Sequence, residues 1–200
     1  MTSPVGHSLG AYIANGGTFP DVRRQAGNVK HLVTGSALLI FAANAPDLDF
    51  FWGAWMGDMN RLHHGPSHSI AAAFIFFVLV WLLLRVFAQP RGLAITAGLA
   101  YASHLLLDMF TADRTPPYGM QLFWPFSDQY VLASKAYFQN IEHGDMGSTV
   151  LDALPAIFSA HNLTAIGFEL LVLGPPALIL LLLRRNRSSQ RNPGNSMGNA

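Results

Sequence analysis

The chain has 200 residues, of which 51% are hydrophobic and 12% charged, with a formal net charge of +1. The charged share is about half that of an ordinary soluble domain, and so balanced a charge gives no reason to expect a nucleic-acid partner. There is no cysteine, which excludes disulfides, a thiol nucleophile and thiolate metal ligation; any metal has to be held by nitrogen and oxygen, as suits zinc, manganese or iron.

Taken in order, residues 5–15 read as a short helix ending at Gly16-Gly17, and no basic residue precedes them, so no cleavable signal peptide is expected. Leu32 to Ala45 is an apolar helix stopped by Pro46. Pro46 to Ser69 is loop-rich and dense in ligand-type side chains. Pro66 stands just inside the start of the helix that follows, with Ser67 or Ser69 as its cap. Ile70 to Ala88 and Leu93 to Phe110 are apolar helices. Thr111 to Asn162 is a long polar region containing the cluster Leu122 to Phe126. Leu163 to Leu183 is a last apolar span that contains Glu169 and Pro175-Pro176. A bilayer core of about 30 Å takes about 20 apolar residues in a helix.

If the chain starts outside and crosses with each of these five helices, Arg23, Arg24, Lys30, Arg85, Arg91, Arg184, Arg185, Arg187 and Arg191 fall on one side. Only Arg61, Arg114 and Lys135 fall on the other. Such a bias marks the cytoplasmic face. The expected fold is therefore an all-α, multi-pass integral membrane bundle of about four to five apolar helices. Residues 1–183 form its single domain, and 184–200 form a basic, disordered cytoplasmic tail.

The same topology sorts the polar residues. His7, Asp47, Asp49, His63, His64, His68, His104 and Asp108 all fall at the non-cytoplasmic ends of their helices, which points to one site. His104 and Asp108 are four apart, on one helix face, within reach of one ion. Asp47 and Asp49, two apart in a turn, can lean toward one cation; the bland alternative is that one of them caps a helix. His63, His64 and His68 put three imidazoles into six residues. Glu169 is a functional candidate simply because it is a carboxylate in an apolar span.

The segments GHSLG at 6–10, PDLD at 46–49, HHGPSHS at 63–69, HLLLD at 104–108 and YGMQLFWPFSD at 118–128 resemble the membrane-bound metal-dependent hydrolase family, also called the YdjM family. The resemblance covers residues 5–128 in matching order. It implies a helical inner-membrane protein whose metal ligands are His7, Asp47, Asp49, His63, His68, His104 and Asp108. One departure is His64, where members often carry arginine. A more distant likeness is to zinc-dependent phospholipase C and P1-type nucleases, whose first ligands follow a similar order; their HxxxE motif is missing here.

The expected function is hydrolysis of an ester, with a phosphoester of a lipid-like substrate leading, by water activated on one or two divalent ions, zinc first and manganese or iron as alternatives. One of Asp47 and Asp49 is expected as a ligand and the other as the catalytic group that accepts the water's proton, with Asp49 favoured for the second role because Asp47 is fixed beside Pro46. The competing expectation is a non-enzymatic membrane protein in which the same ligands hold a structural or transported metal.

Overall fold

The computed structural model describes residues 1–17, 29–58, 60–87, 92–114, 116–143 and 150–190. Arg23, Arg24, Arg91, Asp145 and Arg191 lie outside them, as do the side chains of Lys30, His31 and Arg187. Seven α-helices are described: α1 (Pro4–Ala14), α2 (Val29–Asn44), α3 (Asp49–Trp55), α4 (Ile70–Val86), α5 (Gly92–Met109), α6 (Val150–Ile157) and α7 (Ala160–Gln190). Two 3₁₀ turns, Pro46–Leu48 and Pro66–His68, join them. The described residues form no β-strand, only the isolated bridges Thr111–Phe138 and Met120–Val131. The expected all-α bundle is thus found.

Helix α5 is the axis of the bundle, packing against α1, α2 and α4, while α7 lies along α1. Its buried face runs Ala94, Ala97, Ala100, Tyr101, His104, Leu105, Asp108, a spacing of three and four that follows the helical period. The three alanines are fully buried beside Ala11 of α1 and Leu39, Ala42 and Ala43 of α2. Small side chains there let three helix axes approach closely. α1 ends where Gly16 and Gly17 take φ of +60° and +67°, a left-handed conformation glycine adopts without steric penalty. Arg184 of α7 seals that end by donating from Nε to the Gly16 carbonyl at 2.7 Å.

Elsewhere the chain differs from the sequence reading in detail. The stretch after Pro46 holds a helix of its own, α3. Pro66 opens a 3₁₀ turn, not α4, and Ser69 is the residue that caps α4, accepting from Ala72 N–H at 3.0 Å. α7 passes through Pro175 and Pro176 and continues to Gln190, beyond the expected boundary at 183.

The outer faces are apolar. Phe74, Ile75, Leu79, Leu82 and Leu83 of α4 and Leu163, Leu170, Leu171, Leu178 and Leu182 of α7 are all exposed. Helices α5 and α7, over Gly92–Met109 and Ala160–Asn186, are long and apolar enough to cross a membrane; α4 and the second part of α2 are shorter apolar helices. Continuous apolar surface on this scale is what a helix offers to lipid, whereas a water-soluble bundle would show a polar outer stripe. The N-terminal ends of α1, α4 and α7 and the C-terminal ends of α2 and α5 meet at one end of the bundle, where the segment 111–143 folds over them through Gln121 N–H to the His64 carbonyl (2.9 Å) and Ile141 N–H to that of Met1 (3.0 Å).

Close alanine packing makes a volume prediction. Ala97→Leu should lower the thermal unfolding midpoint in detergent, by the equivalent of about 1–3 kcal/mol of overpacking, whereas Leu99→Ala on the exposed face of α5 should leave it nearly unchanged.

Candidate metal centre

Four side chains converge at the closed end of the bundle. Asp47 comes from the 3₁₀ turn after α2, His68 from the turn before α4, and His104 and Asp108 from successive turns of α5. His104 Nε2 lies 3.1 Å from Asp108 Oδ2 and 3.2 Å from His68 Nε2. Asp47 Oδ1 lies 3.4 Å from His104 Nε2 and 3.5 Å from His68 Nε2, and His68 Nε2 is 3.7 Å from Asp108 Oδ2. A tetrahedral ion with bonds of about 2.0–2.2 Å has ligand-to-ligand edges of about 3.3–3.6 Å. The donor set therefore has the chemistry and spacing of a zinc-type site.

The hydrogen bonds support that fit. Neither oxygen of Asp47 has a hydrogen-bond partner, nor has Oδ2 of Asp108, although both residues are buried or nearly so. Leaving buried carboxylate oxygens unpaired is costly, and a cation at the centre of the four atoms removes that cost. The bland reading of Asp47 and Asp49 as caps fails, since neither the 3₁₀ turn nor α3 has a side-chain cap bond.

The imidazoles are aimed from behind. His104 Nδ1 donates to the Ala43 carbonyl at 2.7 Å, which leaves Nε2 facing the centre. His68 Nδ1 lies 3.3 Å from Asp49 Oδ2. Asp49 also accepts from Ser67 Oγ at 2.8 Å and from His63 Nδ1 at 3.2 Å. Tyr101 holds this turn by donating to the Ser67 carbonyl at 2.6 Å. A carboxylate or carbonyl on Nδ1 that fixes an outward Nε2 is the usual support for a histidine ligand.

All seven residues expected from the sequence lie in one connected cluster, but not in one shell. His7 stands behind the four: its ring stacks on His104 with centroids 3.6 Å apart, and its Nε2 is 3.3 Å from Asp108 Oδ1. Asp49 and His63 form with Asp47 a second, adjoining donor group. His63 Nε2 has no partner.

Sequence reasoning left three contributors without a role or unnoticed. His64 has Nδ1 3.6 Å from Asp113 Oδ2 and Nε2 3.8 Å from Asp108 Oδ2, and it is the one non-glycine residue with positive φ among the described residues, at +61°; such backbone strain concentrates at functional sites. Asp113 lies in the polar segment with no motif around it. The third is the main chain at Thr2, whose N–H donates to Asp108 Oδ1 at 2.7 Å. Glu169 keeps it there. Fully buried, it accepts from Ser3 N–H at 2.8 Å and is bonded to Ser3 Oγ. A side chain at Gly6 would place Cβ 2.5 Å from Glu169 Oε2 and from Thr2 Cγ2, which accounts for glycine ahead of His7. His143 packs edge-on against Phe50 and His63, whereas His161 lies outside the cluster, donating to the Asn140 carbonyl at 2.9 Å.

Protonation follows from these surroundings. Burial first, and then the neighbouring imidazole of His64, holds His63 well below its ordinary value, and burial likewise lowers His64, so both are neutral at pH 7. Burial works against a charge on His68 as well, but the carboxylates of Asp47 and Asp49, 3.5 and 3.3 Å away, outweigh it and raise its pKa above the ordinary value of 6.5. Asp49 is held low: burial opposes its charge, and hydrogen bonds from His63 and His68 more than offset that. Without metal, His68 is thus mostly protonated at pH 6.5, and coordination through Nε2 has to expel a proton. Zinc titrations at pH 6.5 in buffers of different ionisation enthalpy should show net proton release, reduced in His68→Ala; equal apparent enthalpies across the buffers would count against His68 as a ligand.

The sequence profile of the YdjM inner membrane protein family matches residues 1–186. No curated protein and no solved structure matches the chain, so the likeness to phospholipase C and P1-type nucleases finds no support: the His, Asp, His, HxxxD order recurs without the rest of that site. The match takes in all five apolar helices and every residue of the donor cluster, and on that extent the chain belongs to the YdjM inner membrane protein family.

Proposed function

We propose that the protein is a metal-dependent hydrolase that cleaves an ester of a lipid-like substrate at the outer face of the membrane. One observation carries this reading. The buried or nearly buried set Asp47, His68, His104 and Asp108 stands beside His63 and His64, two imidazoles that line a cleft open to solvent and whose buried Nε2 atoms make no hydrogen bond. Zinc suits the donor set first, with manganese or iron as alternatives. When bound, such an ion lowers the pKa of its water from 15.7 toward about 7.

The chain's own residues divide the remaining work. Asp47, His68, His104 and Asp108 hold the ion. His7, stacked on His104 and facing Asp108, fixes both. Asp49, expected from the sequence to take the water's proton, has its oxygens engaged by His63, Ser67 and His68, so we assign it the orientation of those imidazoles. Proton uptake falls to His64, neutral at pH 7 and backed by Asp113. His64 removes the proton as the water oxygen bonds to the ester centre, and returns it to the alcohol oxygen as the ester bond breaks.

A second reading is favoured by one feature: four protein donors already complete a tetrahedron, as structural sites do. His64 separates the two. In a hydrolase, His64→Gln keeps metal content and unfolding midpoint but loses about 10²–10⁴-fold in turnover, while Asp47→Asn loses the metal. The assay is release of product from phosphomonoester, phosphodiester and carboxyl-ester lipid analogues. Wild-type protein inert on all of them, with midpoints that track metal content in every variant, establishes the staple instead.

Sidedness belongs to the same proposal. Among the described residues the site end carries Arg61, Arg114 and Lys135 and the far end Arg85, Arg184 and Arg185, and the sequence places its other basic residues in the segments that lead from the far end, so the site should face away from the cytoplasm. A cysteine introduced by Lys135→Cys should react with an impermeant maleimide added outside intact cells, and a reporter fused after residue 190 should score as cytoplasmic. The opposite pattern would turn the bundle over.

A further inference from the structure

A cleft open to solvent lies beside the donor cluster. His63, His64, Arg114, Asn140 and His143 are among its lining residues. Arg114 is exposed, and no ion pair to it is found among the described residues. Asp113, which also lines the cleft, is engaged elsewhere: it accepts from Gly119 N–H at 2.6 Å and faces His64 Nδ1 at 3.6 Å. His143 adds a buried Nδ1 with no partner.

We infer that this cleft is the subsite for the phosphate of an anionic phosphoester, with Arg114 the residue that reads its charge. The inference rests on the hydrolase reading above and gives it a substrate class. Arg114 and the two imidazoles that adjoin the metal-binding cluster line one cleft, so a ligand that bridges the guanidinium and the cluster has to present anionic oxygens to both. A phosphate does so, because its oxygens are tetrahedral. A carboxylate has only two, coplanar oxygens, and a bidentate pair with the guanidinium would occupy both. Arginine also suits phosphate better than lysine would, since its planar fork can donate twice to one group. His143 and Asn140, which line the same cleft, are the side chains available to the alcohol portion or a third oxygen.

The test measures binding, so it does not need turnover. Zinc-loaded full-length protein in detergent is titrated with inorganic phosphate and with glycerol 3-phosphate, and the same protein in nanodiscs is titrated with phosphatidic acid against a phosphatidylcholine background. Acetate serves as the planar control. Arg114→Ala should weaken every phosphate ligand that binds by about tenfold to a hundredfold, the loss expected for a charge-assisted pair, with metal content unchanged; Arg114→Lys should recover part of it. Lys135→Ala, on the same end of the bundle, should leave phosphate affinity as it was. Binding in the detergent arm identifies a free phosphoester as sufficient, and binding in the nanodisc arm alone identifies a lipid headgroup. Wild-type protein that binds no phosphate ligand, binds acetate equally well, or loses no affinity on Arg114→Ala overturns the inference. Arginine-dependent phosphate binding in a protein that hydrolyses nothing would support the subsite while overturning the hydrolase reading.

Discussion

Asp108 is a carboxylate at the end of the most deeply packed helix, with its side chain fully buried. Its negative charge has to be compensated within the protein, and much of the architecture follows from that need. The compensation arrives from four directions: His104 from the preceding turn of α5, His7 from α1, His68 and His64 from the segment before α4, and the Thr2 amide from the chain ahead of α1. With the donors so arranged, a cation at the centre is the simplest way to satisfy both Asp108 and Asp47. The alanine face of α5 contributes indirectly, since only closely spaced helices can bring histidines from three chain segments to one carboxylate.

The fold was legible because its signal is coarse. Long apolar runs, a proline after α2 and paired glycines after α1 each have one strong structural consequence, and all five apolar helices lie where those signals put them. The cluster was legible too, since histidine and aspartate in apolar surroundings need partners. What could not be read was how the cluster divides. His104 and Asp108 have a helical spacing that fixes their relation, but Asp47 and Asp49 differ only in which way a 3₁₀ turn points them. Asp113 and the Thr2 amide were invisible for another reason: an isolated aspartate in a polar stretch and a main-chain N–H carry no pattern. Glu169 carried a signal, a carboxylate in an apolar helix, without its meaning, because its partner Ser3 lies at the other end of the sequence.

The exposed apolar faces and the buried polar end have one physical explanation. In lipid, helices gain nothing from hiding leucine and phenylalanine, so α4 and α7 leave them outside. The interior is then free for small residues that pack closely and for polar residues that pair. Polar groups collect at one end of the bundle because there the helix termini already present unpaired backbone groups and the covering segment 111–143 can supply partners.

The contact between Ser3 and Glu169 spans 166 residues of sequence. It has a consequence for how the protein is made. During synthesis α1, α2, α4 and α5 emerge well before α7, so His7, His68, His104 and both aspartates can gather while Ser3 still lacks its partner on α7. Only when the last helix is placed does Glu169 fasten Ser3, the neighbour of the Thr2 amide that bonds Asp108. The support of the centre is therefore completed by the final span to be inserted.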